Sequence, residues 1–325
     1  MPIVSPSSYH SPGFPWNNKH WQTIVPSYTH KAIVPDNYVR EEFHTPDDDI
    51  LLIDWARVGS KKLLILSHGL CGHSRRHYIL SLVNAFNAAG WDCLAWNFRG
   101  TGGSPGIRGK YTTQNSTEEL HWITRHAMSS GNYDKIAYTG YSMGGNLSAL
   151  YLCREQSKEF PQICGGVFFC ATTDLISSNK MFHTFMGGLY TRHFLQGLFD
   201  SLRRKAAMEP GTLDISNLER IRTFEDFDDR FTSKFLGMKD HLEYYEKASS
   251  CHYFSSLKVP VLLVAPKNDP FLAGDCYPVE EAKRNPLLYL EMPEGGGHCG
   301  FPTPRGQLWW PAQRALEFLN ECAGK

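Results

Sequence analysis

The chain has 325 residues, 42% of them hydrophobic, with 33 basic and 33 acidic side chains. That apolar content excludes a disordered chain. The balanced charge, with no basic stripe, argues against nucleic acid as a partner and against electrostatic capture by an anionic membrane. No stretch approaches the ~18 consecutive apolar residues of a membrane span, and the start Met1-Pro2-Ile3-Val4-Ser5-Pro6 lacks the basic and apolar regions of a signal peptide. The nine cysteines are scattered, odd in number and without zinc-site spacing, which predicts reduced thiols in a cytoplasmic protein. Nothing in the composition indicates an oligomeric state.

Residues 1–36 are rich in Pro, Trp, His and Tyr with little periodicity. They predict an irregular arm packed on the rest of the chain, because its aromatics are costly in water. Two strands are expected at 38–44 and 50–58. The acidic run Asp47-Asp48-Asp49 between them reads as a solvated hairpin turn. Residues 62–67 are a continuous apolar run, the pattern of a strand buried on both faces. A helix at 77–89, a strand at 93–97, a helix at 117–128, a strand at 135–139, a helix at 145–153 and a strand at 166–170 follow. This alternation predicts an α/β fold with a mostly parallel central sheet flanked by helices. The rhythm stops near Asp174. Residues 175–250 carry helical patterns, a break at Pro210-Gly211 and an acidic patch at 225–229. Strands resume at 259–265 and 287–291, and a last helix is expected at 311–319. The chain therefore reads as a single domain over 1–325, with 175–250 as a helical lid insertion.

Gly140-Tyr141-Ser142-Met143-Gly144-Gly145 matches G-x-S-x-G between a predicted strand and helix. A sharp strand-to-helix turn exposes the central serine, and the glycines make room for the turn. A serine hydroxyl needs a base to take its proton, and the base needs a carboxylate to orient it. Asp269 follows the strand at 259–265. His298 lies in Gly295-Gly296-Gly297-His298-Cys299-Gly300 after the strand at 287–291. Both belong to the C-terminal edge of the sheet, where active sites of open α/β sheets collect, and the glycines are expected to let the His298 loop fold back towards the serine. Two backbone N–H donors for an oxyanion are expected at Met143, next to the nucleophile, and at Leu70 in His68-Gly69-Leu70-Cys71-Gly72.

These motifs resemble the α/β-hydrolase superfamily and, within it, the YheT-like branch of predicted esterases. Asn18-Lys19-His20-Trp21-Gln22-Thr23 is similar to that branch's N-terminal His-x-Gln-Thr signature. His68–Gly72 resembles its oxyanion loop, Asn97-Phe98-Arg99-Gly100 its Asn-x-Arg-Gly segment, and Gly140–Gly145 its nucleophile elbow. Residues 227–232, Tyr244-Tyr245 and Ser249-Ser250 resemble its lid and return segment. Asp269-Pro270-Phe271 and Gly296–Phe301 resemble its acid and base motifs. The resemblance implies a carboxylic-ester hydrolase with Ser142, Asp269 and His298 as its triad. Some members carry an N-terminal membrane anchor that this sequence lacks, which weakens any inference of a membrane-lipid substrate.

Four rival features carry less weight. The glycine-rich stretch 100–106 has the wrong spacing for a dinucleotide site and is interrupted by Pro105. His68, His73 and His77 cluster without an acidic residue, a poor metal-ligand set. Cys299 reads as a small packing residue. Asp174 also follows a strand and is the rival acid to Asp269. The expected chemistry is two-step acyl transfer without cofactor or metal, on a small ester with an apolar acyl chain. A thioesterase, amidase or acyltransferase on the same triad, or a non-catalytic scaffold, are the alternatives, since fold does not fix function.

Overall fold

The computed structural model describes residues 2–104, 110–185, 187–304 and 306–324. Among them nine strands form one sheet. They are β1 (Ile3–Val4), β2 (Tyr38–His44), β3 (Ile50–Ala56), β4 (Lys62–Ser67), β5 (Asp92–Trp96), β6 (Lys135–Tyr141), β7 (Ile163–Phe169), β8 (Val261–Val264) and β9 (Leu288–Glu291), in the spatial order β1-β9-β8-β7-β6-β4-β5-β3-β2. The pairings from β1 through β5 are parallel, and β3 and β2 close the other edge antiparallel. The charged side chains of β2, Arg40, Glu41 and Glu42, keep that edge in water and discourage pairing with another chain.

The alternation along each strand divides the core in two. Leu63 and Ile65 of β4 face one layer, with helices α3 (Thr117–Ser130) and α4 (Met143–Cys153). Leu64 and Leu66 face the other, with α2 (His77–Ala88) and α11 (Trp310–Ala323). Both faces of β4 are therefore dry, as its unbroken apolar run requires. Ile79, Leu82, Val83 and Phe86 form the buried stripe of α2 at helical spacing. Each such side chain contributes about 1.5–3 kcal/mol when fully buried. Between β7 and β8 lie α5 (Leu175–Phe182), α6 (Leu189–Met208), the short α7 (Phe224–Phe227) and α8 (Ser233–Phe235), and α9 (His241–Ala248). A π-helical turn, Asp228–Thr232, joins α7 to α8. The short α10 (Val279–Arg284) precedes β9.

Two expectations need correction. Residues 1–36 are not wholly irregular: β1 extends the sheet beside β9, and α1 (Lys19–Thr29) is a capped helix whose first N–H groups are accepted by the Asn18 side chain. The turn Asp47-Asp48-Asp49 is not simply solvated. Asp49 is fully buried, and Arg99 reaches it at 2.6 Å, Asp47 at 3.1 Å and Glu119 at 2.7 Å. A buried guanidinium needs such partners because its desolvation is costly. The hairpin is thereby pinned to α3. Of the glycine-rich stretch after β5, Pro105 and Gly106 lie outside the described residues.

Candidate active site

β6 ends at Tyr141 and α4 begins at Met143, so the chain reverses its geometry at Ser142 alone. Ser142 sits at φ +51°, ψ −121°, a backbone state costing about 1–3 kcal/mol for an L-residue. Its neighbours explain the glycines. A Cβ on Gly140 would lie 2.5 Å from the Gly144 carbonyl oxygen, and one on Gly144 would lie 2.2 Å from the His68 carbonyl oxygen. The helix begins two residues earlier than its composition suggests. As the first residue of the helix, Met143 has an N–H with no intrahelical acceptor, at the positive end of the helix dipole.

His298 Nδ1 lies 2.8 Å from Asp269 Oδ2 and 3.1 Å from Oδ1. A carboxylate only accepts, so this pairing keeps the proton on Nδ1 and leaves Nε2 as the acceptor. Burial disfavours the His298 imidazolium, but the Asp269 charge, together with Cys299 beside the ring, outweighs it and raises the pKa above that of an ordinary histidine. Asp269 is itself buried, and its Oδ1 accepts from the Phe271 N–H at 2.8 Å. The Phe271 ring then meets the imidazole edge-on at 4.5 Å. Asp174, the rival acid, is engaged elsewhere. Its carboxylate caps α5 by accepting from the Ser177 N–H at 3.1 Å.

The loop after β4 is held from both sides. His68 Nδ1 donates to Gly69 O at 2.8 Å and Nε2 accepts from the Phe98 N–H at 3.2 Å, so the ring is neutral. Burial agrees, pushing its pKa down to about 3. The Tyr78 hydroxyl accepts from the Gly69 N–H at 3.1 Å. His68 is thus a strut of this loop. His77 instead packs near His30 and Trp309.

Ser142, Met143, Leu70 and His298 all line one cavity of about 460 Å³, with Asp269 behind His298. Cys299, expected as packing, also lines it. The Cys299 thiol, the Cys170 thiol and a His298 ring nitrogen lie within 4.8 Å of one another. The Cys299 N–H donates to Cys170 Sγ at 3.2 Å, and burial raises the Cys170 thiol pKa. The opposite wall is aromatic: Phe182, Phe194, Phe224, Phe227 and Tyr190 from α5, α6 and α7, with Phe271 between them and His298. One carboxylate interrupts this wall. Asp228, in the π-helical turn, accepts from the Thr232 hydroxyl at 2.5 Å and the Tyr245 hydroxyl at 2.8 Å. Burial pushes its pKa up to about 7, against the pull of those two donors. Sequence patterns place Tyr78 and Asp228 in an ordinary helix and an acidic patch. Only their tertiary neighbours mark them out.

A parallel sheet with helices on both faces, a strained serine at a strand–helix elbow and a cavity at the carboxyl edge define an esterase- and lipase-type α/β hydrolase. The chain belongs to the alpha/beta hydrolase fold family, whose model matches residues 62–304. It is 29% identical to the predicted esterase YheT of Escherichia coli over 88% of this chain and 85% of that protein. It is 26% identical to phospholipase ABHD3 of Mus musculus over 92% of this chain and 74% of that one. Among solved structures, an esterase of Pyrococcus furiosus superposes with a TM-score of 0.61 at 20% identity, covering 90% of this chain and 96% of that one. Among the described residues no helix is long and apolar enough to cross a membrane.

Proposed function

We propose that this chain is a serine esterase acting on carboxylic esters with an apolar acyl chain, through an acyl-enzyme on Ser142. The observation that carries this reading is the strained Ser142 elbow and the Asp269-oriented His298 facing one cavity. His298 Nε2 takes the hydroxyl proton as Ser142 Oγ attacks the ester carbonyl carbon. The Met143 and Leu70 N–H groups receive the negative charge that forms on the carbonyl oxygen. The tetrahedral adduct collapses, the C–O bond to the alcohol breaks, and His298 returns the proton to the departing alkoxide. Water then repeats the sequence with His298 as base, releasing the acid and free Ser142. Asp269 holds the Nδ1–H tautomer and stabilises the transient imidazolium. The helical segment 175–250 serves as the lid whose rings receive the acyl chain, within a single domain over 1–325, and the free thiols fit a cytoplasmic setting.

An active-site-directed fluorophosphonate is expected to label Ser142, and a p-nitrophenyl ester panel to be hydrolysed faster than matched acyl-CoAs and amides. Ser142→Ala and His298→Ala should each lower kcat by about 10⁴-fold or more, with similar losses because the residues act as a unit. Substantial esterase activity in Ser142→Ala overturns the reading.

A further inference from the structure

We infer that α1 belongs to the catalytic apparatus of this hydrolase, with Gln22 and Thr23 as positioning residues that lock the loops carrying Asp269 and His298 to one another. This rests on the triad reading above and deepens it. The two loops leave neighbouring strands, β8 and β9, whose ladder ends with the Lys267 N–H on the Pro293 carbonyl at 2.8 Å. Beyond that bond, Gln22 ties the segments that carry Asp269 and His298. Its side chain is 1% exposed, and both ends of the amide are used. Oε1 accepts from the Gly296 N–H at 2.5 Å and from Asn268 Nδ2 at 2.9 Å. Nε2 donates to Ser11 Oγ at 2.7 Å and to the Trp16 carbonyl. One amide oxygen therefore joins the residue before Asp269 to the base loop. Asn268 closes the circuit by accepting from the Gly297 N–H at 3.0 Å. Thr23 Oγ1 accepts from the His298 N–H itself at 2.9 Å, while donating to Lys19 O at 2.7 Å.

The glycines of the base loop have a second meaning here. A Cβ on Gly297 would lie 2.8 Å from the Gln22 backbone carbon and the Thr23 nitrogen, and one on Gly300 would lie 1.7 Å from Gln22 O. These glycines admit α1, a tighter requirement than the loop flexibility expected from the sequence. His20, two residues before Gln22 on the same helix, has different partners: its ring stacks on Phe185 at 3.6 Å, and Nδ1 is 3.1 Å from the Tyr190 hydroxyl. The signature His20-x-Gln22-Thr23 thus grips the helical insertion with one residue and the acid and base loops with the other two. Since misplacement by about 1 Å can cost 10²-fold in rate, this brace is expected to act on turnover and not on binding.

The test compares full-length Thr23→Val, which keeps shape and removes the acceptor, with Thr23→Ser, which keeps the oxygen, and adds Gln22→Met. Thermal melting verifies folding. Thr23→Val and Gln22→Met are expected to lower kcat on a p-nitrophenyl ester by about 10–100-fold, with KM within twofold. Their acid limb of kcat/KM should move to lower pH, as His298 loses part of its hold on Asp269. Thr23→Ser is expected to restore kcat to within a fewfold. Folded variants with unchanged kcat and pH profile overturn the brace, as does an equal loss in Thr23→Ser and Thr23→Val. Fluorophosphonate labelling separates the two readings: an unlabelled wild-type Ser142 removes the triad itself, whereas wild-type labelling with equal rates in the variants removes only the brace.

Discussion

The two walls of the cavity are built on different physics. The sheet-borne wall is polar, and its geometry is forced: Ser142, Cys170, Cys299 and Phe301 all have positive φ, and Gly140 and Gly144 are pressed against backbone. The hydrogen bonds of Gly69, Asp269, His298 and Cys299 there each have a defined direction, which electrostatic catalysis requires because donors must be aimed before charge develops. The helical wall is made of rings in van der Waals contact, such as Phe182 stacked on Phe271 at 4.2 Å and Phe182 edge-on to Phe224 at 5.2 Å. Such contacts are non-directional and tolerate repacking. Under the proposed function the difference is a division of labour: the sheet edge would govern which bond reacts, and the helices which acyl chain reaches it.

Asp269→Asn should produce the largest effect after loss of Ser142 or His298 themselves, because it attacks the sheet-borne wall at its orienting group. A drop in kcat of about 10⁴-fold is expected, with the wrong imidazole tautomer favoured. The pH profile carries the sign. Activity needs neutral His298, whose pKa Asp269 raises, so the wild-type acid limb should lie above the usual histidine value. In Asp269→Asn the limb should fall back to lower pH. An unchanged limb would detach Asp269 from the base.

The helical wall should respond differently. Phe224→Ala opens space beside Phe182 and is expected to move the preferred p-nitrophenyl ester to longer chains. The change in kcat/KM between adjacent lengths should be about tenfold, on the scale of one methylene in an apolar pocket, with butyrate turnover little changed. Equal losses on all chain lengths would erase the proposed division.

The smallest effect concerns stability. Asp228 has a folded-state pKa raised to about 7 by burial, from an ordinary value of 3.8. The folded state therefore holds that proton more tightly than the unfolded chain. Its contribution to stability is present below the unfolded value and declines as pH rises towards 7. Asparagine has no such dependence. The melting temperature of Asp228→Asn relative to wild type is expected to rise between pH 5 and pH 7.5, and parallel curves would show that Asp228 does not titrate there.

Much of the sheet-borne wall is legible in the residues, since its signals are local. An apolar run bounded by turns marks a doubly buried strand, and G-x-S-x-G after such a strand marks an elbow. The acid and base can be placed because each directly follows its own strand. α1 is hidden in the sequence because Pro26 lies inside it and the residues it buries are Gln22 and Pro26, not an apolar stripe. Composition puts the start of α4 two residues late because Gly144 is a poor helix former, costing about 1 kcal/mol. Close packing of Gly144 on the end of β4, at Ser67 and His68, overrides that cost.

The sequence by itself determined the layered architecture and the placing of Ser142, Asp269 and His298, each after its own strand, at one edge of the sheet. These follow from periodicity and chain order, which a linear string records directly. The tertiary structure alone decided that Asp49 is buried against Arg99, that Asp228 interrupts an aromatic wall, and that Gln22 ties Asn268 to Gly296. Such pairings join residues tens to hundreds of positions apart. Burial leaves each of these groups without water, so it must find its partner within the protein, and no local pattern encodes which partner will be there.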